Sequence, residues 1–183
     1  MANLPLTNNT ANLFADFLTM NVPLPKYTER GPIHDVAWIP LKFHHDGRGW
    51  LVELFRNDLI DPKFHPVMAY VSQTNPGVAR GPHEHADQAD YFCFTGPSTF
   101  RVYLWDARKS SPTFGAKDVR DVGEDSPFAL IVPAGVVHAY KNVGEKPGLV
   151  FNAANRLYAG WLKQDTVDEI RHEANADSPY RLE

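Results

Sequence analysis

A succession of short apolar runs, each rich in β-branched and aromatic residues and bounded by turn residues, constrains the fold of this chain more than any other feature. The turn signals include Asp46-Gly47, Gly96-Pro97 and Pro147-Gly148, among 15 prolines and 12 glycines. Because no helical pattern alternates with the runs, we expect an all-β fold, an antiparallel sandwich or barrel rather than a doubly wound sheet. The runs predict strands over residues 50–55, 67–73, 90–94, 98–105, 128–132, 137–142 and 149–153.

Two segments that flank the strands have the apolar spacing of short helices. One covers residues 10–19, and the other covers residues 166–174 with Asp165 as a candidate N-cap. The chain of 183 residues is long enough for one domain. We therefore expect an N-terminal extension over residues 1–35 that packs on the barrel or on a partner subunit, a barrel over residues 36–160, and a C-terminal helix and tail over residues 161–183.

Charge and cysteine content exclude several classes of function. The net charge is −4 and the longest basic run is the pair Arg108-Lys109, so no basic surface for nucleic acid or an anionic membrane is expected. The single cysteine, Cys93, excludes an intramolecular disulfide, and its apolar neighbours indicate a buried small side chain. Because the sequence shows neither a signal peptide nor a long apolar run, we expect a cytoplasmic protein.

A pair of histidines in the segment Pro82-His83-Glu84-His85 is the first candidate site. If this segment is extended, the period of two places both imidazoles on the same face. Asp90 and His138 follow later in the chain and complete a set of three imidazoles and one carboxylate. Such a set binds divalent Zn, Fe, Mn or Ni and leaves positions open for water or substrate. The pattern predicts a metal ion held by His83, His85, Asp90 and His138, although two solvent-facing loop histidines would show the same spacing.

The spacing of these residues resembles the two sequence motifs of the cupin superfamily. The first is Gly77-x5-His83-x-His85-x4-Asp90, and the second is Pro133-x-Gly135-x2-His138-x3-Asn142. Asp90 stands where cupins usually carry glutamate. The resemblance implies a small antiparallel β-barrel or jelly roll with short flanking helices, in which both motifs converge on a metal.

Five flanking segments resemble, in order, the signatures of the dTDP-4-dehydrorhamnose 3,5-epimerase family. The similarity covers approximately residues 36–160. It implies an isomerase or epimerase of a keto-deoxysugar nucleotide, which removes a proton beside a carbonyl and returns it on the other face. It also implies a homodimer in which an N-terminal strand crosses to the partner. The segments are DGRGWLVE at 46–53, SQTN at 72–75, RGPH at 80–83, DARKSSPTFG at 106–115 and VPAGVVH at 132–138.

The resemblance assigns roles to individual residues. His83 corresponds to the catalytic base of the family. The residues that correspond to the groups holding the nucleotide and its phosphates are Arg48, Glu53, Gln73 and Arg80. The acid tyrosine of the family falls at or beside Asn152, and an amide cannot deliver a proton as a phenol does. A second family tyrosine is matched by Tyr158, and Tyr140 is close in sequence to His138, so either one could replace the missing acid.

His85 and Asp90 stand where the family has a glutamine-like residue and a lysine. Both exchanges add metal ligands, yet a histidine committed to a metal cannot also abstract a proton, so His83 is either a ligand or a base. Two other functions remain open at this point. One is a metal-dependent cupin oxygenase or isomerase with another small substrate, and the other is a non-catalytic small-molecule-binding cupin.

Overall fold

The computed structural model describes residues 27–29 and 31–183, and the helix predicted over residues 10–19 lies outside them. Thirteen strands account for most of the regular structure in the described residues. They are β1 Thr28–Glu29, β2 Ala37–Pro40, β3 Phe43–Asp46, β4 Gly49–Val52, β5 Met68–Thr74, β6 Ala79–Glu84, β7 Asp90–Phe94, β8 Thr99–Asp106, β9 Ala116–Gly123, β10 Phe128–Val132, β11 Val136–Asn142, β12 Gly148–Ala154 and β13 Ile170–Arg171.

Two sheets face each other and form a jelly roll. The six-stranded sheet has the order β1-β9-β8-β11-β6-β13, and the five-stranded sheet has the order β2-β10-β7-β12-β5. The pairings are antiparallel except for the parallel contact of β1 with β9. The hairpin of β3 and β4 forms a separate two-stranded sheet. The predicted all-β, cupin-type fold is confirmed.

The core lies between the two sheets because alternate residues of their strands are apolar. Phe92 and Phe94 of β7 pack against Phe100, Leu104 and Tyr140 of the opposite sheet. Their rings meet in edge-to-face or tilted arrangements, with centroids 5.6–5.9 Å apart for the contacts of Phe100 and Phe92 with Tyr140. Cys93 is fully buried in a second cluster on the outer face of β7, as its apolar neighbours predict.

Most of the predicted strands are confirmed. Those over residues 90–94 and 128–132 match β7 and β10 at both ends, and four others are correct to within one residue. The strand predicted over residues 50–55 ends at Val52. The sequence did not predict β2, β3 or β9, and β9 was missed because its charged residues, such as Lys117 and Asp118, hide the apolar alternation.

The helix predicted over residues 166–174 is wrong. Ile170 and Arg171 form β13, which pairs with Glu84 and His83 of β6. The backbone groups at the edge of β6 offer this segment hydrogen bonds, and a helix of nine residues is marginal without packing. In the described residues, helical structure is limited to the 3-10 turns Pro62–Phe64 and Trp161–Lys163.

The described part of the N-terminal extension packs on the sandwich. Thr28 and Glu29 pair with Ala116 and Lys117 of β9, and the side chain of Ile33 is buried in the main core. This is one of the two positions expected for the extension. No helix among the described residues is long and apolar enough to cross a membrane.

Candidate active site

Three histidines and one aspartate meet between the two sheets. His83 of β6 and His138 of β11 are direct cross-strand partners in the six-stranded sheet. His85 follows β6 by one residue, and Asp90 begins β7 of the opposite sheet. One nitrogen or oxygen atom from each of the four residues lies within 4.8 Å of the other three. We call these four residues the histidine cluster.

Gly81 explains how β6 brings His83 so close to β11. Its φ is +81°, a left-handed conformation that side chains disfavour. A Cβ atom at this position would lie 2.6 Å from the carbonyl oxygen of His138. The glycine of the Arg-Gly-x-His segment is therefore required by the close approach of the two strands.

Backbone carbonyls fix the orientation of two imidazoles. The Nδ1 atom of His138 lies 3.1 Å from the carbonyl oxygen of Val136, and that of His85 contacts the carbonyl oxygen of Asp168. A carbonyl only accepts, so both Nδ1 atoms donate a proton. The two Nε2 atoms then face the Oδ2 atom of Asp90, at 3.1 Å from His85 and 3.3 Å from His138.

Two amides hold the other oxygen of Asp90. Its Oδ1 atom accepts from Nε2 of Gln88 at 3.0 Å and from Nδ2 of Asn152 at 3.1 Å. Nδ2 of Asn152 also donates to the hydroxyl of Tyr70 at 2.8 Å. The carboxylate is thus fixed through one oxygen, while the other one points to the imidazoles.

Burial and charge set the protonation of the histidine cluster. Burial is the main reason why the pKa of His83 is lowered to about 2, and the imidazoles of His138 and His85 lower it further. Burial opposes the charge of Asp90, but its contacts with His138 and His85 outweigh burial and hold the pKa of the carboxyl well below its usual range. Burial also opposes protonation of His85, yet Asp90 outweighs it and raises the pKa of that imidazole.

A cavity of about 540 Å³ opens beside the histidine cluster. His83 and His85 lie on its wall, as do Arg80 of β6 and the aromatic rings of Tyr140 and Tyr158. The cavity is large enough for a small organic substrate. An unprotonated imidazole, phenols and a guanidinium on one wall can move a proton and bind an anionic group.

Comparison with known proteins identifies this arrangement. Residues 30–167 match the family described as dTDP-4-dehydrorhamnose 3,5-epimerase. The chain belongs to this family. It is a sugar-nucleotide epimerase, and the epimerase function is favoured over the two alternatives that the sequence left open.

Two curated relatives support the assignment of this epimerase. The protein named "probable low-salt glycan biosynthesis epimerase Agl13" of Haloferax volcanii is 39% identical over 128 residues, which cover 69% of this chain and 81% of the relative. The spore coat polysaccharide biosynthesis protein SpsL of Bacillus subtilis is 41% identical over 131 residues, which cover 70% of this chain and 81% of the relative.

Solved structures share the fold of the epimerase. A dTDP sugar isomerase from Desulfovibrio desulfuricans G20 superposes with a TM-score of 0.71 at 22% identity, over 82% of this chain and 92% of that one. The 3′-monoepimerase ChmJ of Streptomyces bikiniensis, in complex with dTDP-quinovose, superposes with a TM-score of 0.61 at 24% identity, over 72% and 69% of the two chains.

Three of the residues predicted to hold the nucleotide are absent from the cavity wall that the described residues of the epimerase form. Arg48 lies at the tip of the β3–β4 hairpin and pairs with Asp46 at 2.5 Å. Glu53 is exposed and lies 3.7 Å from Arg56. Gln73 takes part only indirectly, because its carbonyl oxygen accepts from Nη2 of Arg80 at 2.9 Å.

Among the cavity residues that sequence reasoning missed, two carry groups that can take part in proton transfer. Tyr70 of β5 lies on the wall, with its hydroxyl held by Asn152. Glu169 approaches His83, with 4.0 Å between its Oε1 atom and Nδ1 of the imidazole, and pairs with Arg171 at 2.8 Å. Tyr70 lies in a predicted strand, but alternation predicts only which face of the sheet a side chain is on, not which cavity it lines. Glu169 was missed because its segment was predicted to be a helix.

Proposed function

We propose that this epimerase inverts a carbon beside the keto group of a nucleotide-linked deoxysugar, and that His83 is the base that removes the proton. The observation that carries this proposal is the position of His83 on the cavity wall. The resemblance to the family, in which His83 corresponds to the catalytic histidine, supports it. Inversion beside a carbonyl needs a base on one face of the sugar and an acid on the other. The cavity supplies candidates for both.

Glu169 is well placed to orient the proposed base. Its carboxylate lies 4.0 Å from Nδ1 of His83, and Arg171 holds the same carboxylate through Oε2. Catalytic contacts are often long in the absence of substrate and shorten in the complex. With Nδ1 directed at Glu169, Nε2 is the atom that would take the proton.

Arg80 is the candidate phosphate ligand in the cavity. Its guanidinium is held by Oγ1 of Thr74 at 3.0 Å and by the carbonyl oxygen of Gln73 at 2.9 Å. These two contacts use Nε and Nη2, which leaves Nη1 for an anionic group. The related structures that contain dTDP or dTDP-sugars support a dTDP-linked substrate.

Solvent exchange tests this function directly. The wild-type protein and a dTDP-linked 4-keto-6-deoxyhexose are incubated in D₂O, and the deuterium in the recovered sugar is measured by mass spectrometry. We expect one deuterium for each inverted carbon, because the proton returned comes from solvent. His83→Gln should slow exchange by at least about 100-fold, the usual contribution of a general base.

His65→Gln is the matched control. This half-buried histidine contacts the carbonyl oxygens of Asn57 and Ile60 and does not line the cavity. The His65→Gln variant should incorporate deuterium into the sugar at the wild-type rate. Exchange in His83→Gln within a few fold of wild type would overturn the assignment of the base, and no exchange by wild type with dTDP- or UDP-linked keto sugars would overturn the substrate class.

A further inference from the structure

We propose that the histidine cluster is a binding site for a divalent transition-metal ion, with Nε2 of His85, Oδ2 of Asp90 and Nε2 of His138 as its ligands. The proposal goes beyond epimerisation, because an ion can occupy this site in the absence of any substrate. It assigns a chemical role to atoms that proton transfer at His83 leaves unused.

The first argument is a concentration of unsatisfied buried atoms. In the part of the chain that the structure describes, three buried side-chain nitrogen or oxygen atoms have no hydrogen-bond partner. They are Oδ2 of Asp90, Nε2 of His138 and Oδ1 of Asn152. Buried polar atoms are nearly always paired, so the first two atoms, which face each other, require an explanation. A cation bound by the carboxylate and the imidazole satisfies the first two.

The second argument concerns the lone pairs. Because the carbonyls of Val136 and Asp168 each accept from Nδ1, a ring of His138 or His85 that carries only this proton directs the lone pair of Nε2 towards Asp90. Three lone pairs converge there, at separations of 3.1 and 3.3 Å from the carboxylate oxygen. Electron pairs facing one another in a buried space repel unless a positive centre lies between them.

Hydrogen bonding accounts for this convergence only in part: Nε2 of His85 lies 3.3 Å from Nε2 of Gln88. A proton on one imidazole would supply the positive charge, but Oδ2 of Asp90 and Nε2 of His138 lack hydrogen-bond partners despite their closeness. The separations instead match neighbouring ligands on one ion, which lie roughly 3.0–3.4 Å apart when the metal–ligand bonds are about 2.0–2.2 Å long.

The third argument is the surrounding shell. Metal-bound histidines usually donate their second N–H to a carbonyl or carboxylate, and metal-bound carboxylates are themselves hydrogen-bonded. His138 and His85 donate to backbone carbonyls. The oxygen of Asp90 that is not a proposed ligand, Oδ1, accepts from the amides of Gln88 and Asn152. Each proposed ligand therefore already has its outer partner.

His83 differs from the three proposed ligands. Among the described residues no hydrogen bond fixes its ring, and the nearest carboxylate is Glu169 at 4.0 Å. We therefore assign His83 to proton transfer and the other three to the ion. Two imidazoles and one carboxylate suit Zn, Fe, Mn, Co or Ni better than Mg or Ca, which prefer oxygen ligands. A cation bound there would polarise a nearby carbonyl oxygen.

Metal binding can be measured without substrate. The protein is purified without a histidine tag, stripped with a chelator and titrated with Co²⁺. The metal-to-chain ratio is read by mass spectrometry, the visible absorption reports nitrogen and oxygen ligands, and the thermal midpoint reports binding to the folded state. We expect about one Co²⁺ per chain, a visible band and a raised midpoint.

Four variants test the ligand assignment. His85→Gln restores the glutamine-like residue typical of the family, and Asp90→Asn preserves the shape of the side chain, so both should fold. Each should lose the visible band and the rise in midpoint. His83→Gln and the control His65→Gln should retain about one Co²⁺ per chain. Circular dichroism of each variant establishes that it is folded.

The outcomes separate this proposal from the proposed function. Wild type that takes up no Co²⁺, Zn²⁺, Mn²⁺, Fe²⁺ or Ni²⁺ would overturn the site, and so would undiminished Co²⁺ in both His85→Gln and Asp90→Asn. Loss of Co²⁺ from His83→Gln would overturn the assignment of three ligands. None of these measurements uses the sugar nucleotide, so deuterium exchange remains an independent test of the epimerase.

Discussion

We predict that Tyr70, which lies on the wall of the same cavity, is the acid that returns the proton on the face opposite His83. Its hydroxyl oxygen accepts from Nδ2 of Asn152 at 2.8 Å, which leaves the hydroxyl proton free to be donated. Burial raises its pKa, so the phenol remains protonated at neutral pH. By the resemblance to the family, the acid tyrosine falls at or beside Asn152, and the amide of Asn152 contacts a different tyrosine.

We therefore predict that Tyr70→Phe separates exchange from inversion. His83 should still remove a proton and return deuterium to the same face, whereas formation of the inverted sugar should fall by about 100-fold or more. NMR of the product measures inversion, and mass spectrometry measures deuterium. Tyr158→Phe, at an exposed tyrosine of the same wall, is the control and should invert normally. Inversion by Tyr70→Phe at the wild-type rate would show that another group is the acid.

The sequence alone predicted that the four residues of the histidine cluster form one site, because they lie in two short motifs. Asp90 and His138 are 48 positions apart, yet each occupies a fixed place in a motif that the fold brings to one point. Tyr70 and Glu169 have no such motif. Their presence in the cavity depends on the pairing of β5 with β12 and of β13 with β6, which spacing along the chain does not reveal.

At the scale of the strand, Gly81 fixes the distance between β6 and β11. In Gly81→Ala, the new Cβ would lie 2.6 Å from the carbonyl oxygen of His138, so the strands must separate. We expect a loss of about 1–3 kcal/mol in the free energy of unfolding beyond that of a matched control, measured in urea. Gly77→Ala is the control, because its φ of +74° is similar but nothing lies within 4 Å of the added atom. Equal losses in both variants would contradict the role of close packing.

One buried carboxylate at the end of β8, that of Asp106, holds residues 106–115 in place. Asp106 accepts hydrogen bonds from Nε of Arg108 at 2.8 Å and from the hydroxyls of Ser111 and Thr113 at 2.5 and 2.6 Å. This part of the family signature is therefore structural, since the carboxylate organises the turn that leads into β9. The cavity wall does not include it.

Asp106→Ala should lower the free energy of unfolding by about 2–3 kcal/mol, because it removes several hydrogen bonds to a buried charge. Burial opposes the charge, but Arg108, Ser111 and Thr113 outweigh it and hold the pKa of the carboxyl below its usual value. The stabilisation is present above the ordinary carboxyl pKa and is lost as pH falls through the lower folded value, so the difference from wild type should shrink in acid. The control Asp121→Ala, which removes an exposed partner of Arg101, should lower the free energy of unfolding much less. A pH-independent difference would contradict an ionised Asp106.

The sequence predicts correctly those strands whose own residue pattern is sufficient to indicate a strand. In β7 and β10, apolar and aromatic residues fill the run from one turn to the next. The segment around Ile170 lacks such a signal and forms a strand by pairing with the side of β6 that β11 does not occupy. Helical spacing there was outweighed by a tertiary contact, which a pattern along the chain cannot include.

At the scale of the whole molecule, we predict a homodimer from apolar side chains and a strand edge that the described residues leave uncovered. Among those residues, β5 lies at the edge of the five-stranded sheet and exposes Val71, and the β3–β4 hairpin exposes Trp50 and Leu51. Free edges and apolar patches of this kind are usually covered by a partner. Light scattering should give twice the chain mass of 20.6 kDa. Val71→Glu should dissociate the dimer, whereas the control Val143→Glu, at a turn, should not.

A dimer would also give Arg48 a place to act. Its hairpin lies off the cavity wall of its own chain, and the Arg48 side chain is 90% exposed, with only Asp46 as its ion-pair partner in the described residues. If Arg48 binds the nucleotide in the partner's cavity, Arg48→Ala and His83→Gln should each be inactive alone. After mixing and subunit exchange, heterodimers would contain one site with both defects and one intact site, so about a quarter of wild-type activity should return. Mixing without recovery, when light scattering shows that subunits have exchanged, would place Arg48 in the cavity of its own chain, and full activity of Arg48→Ala alone would place it outside the site.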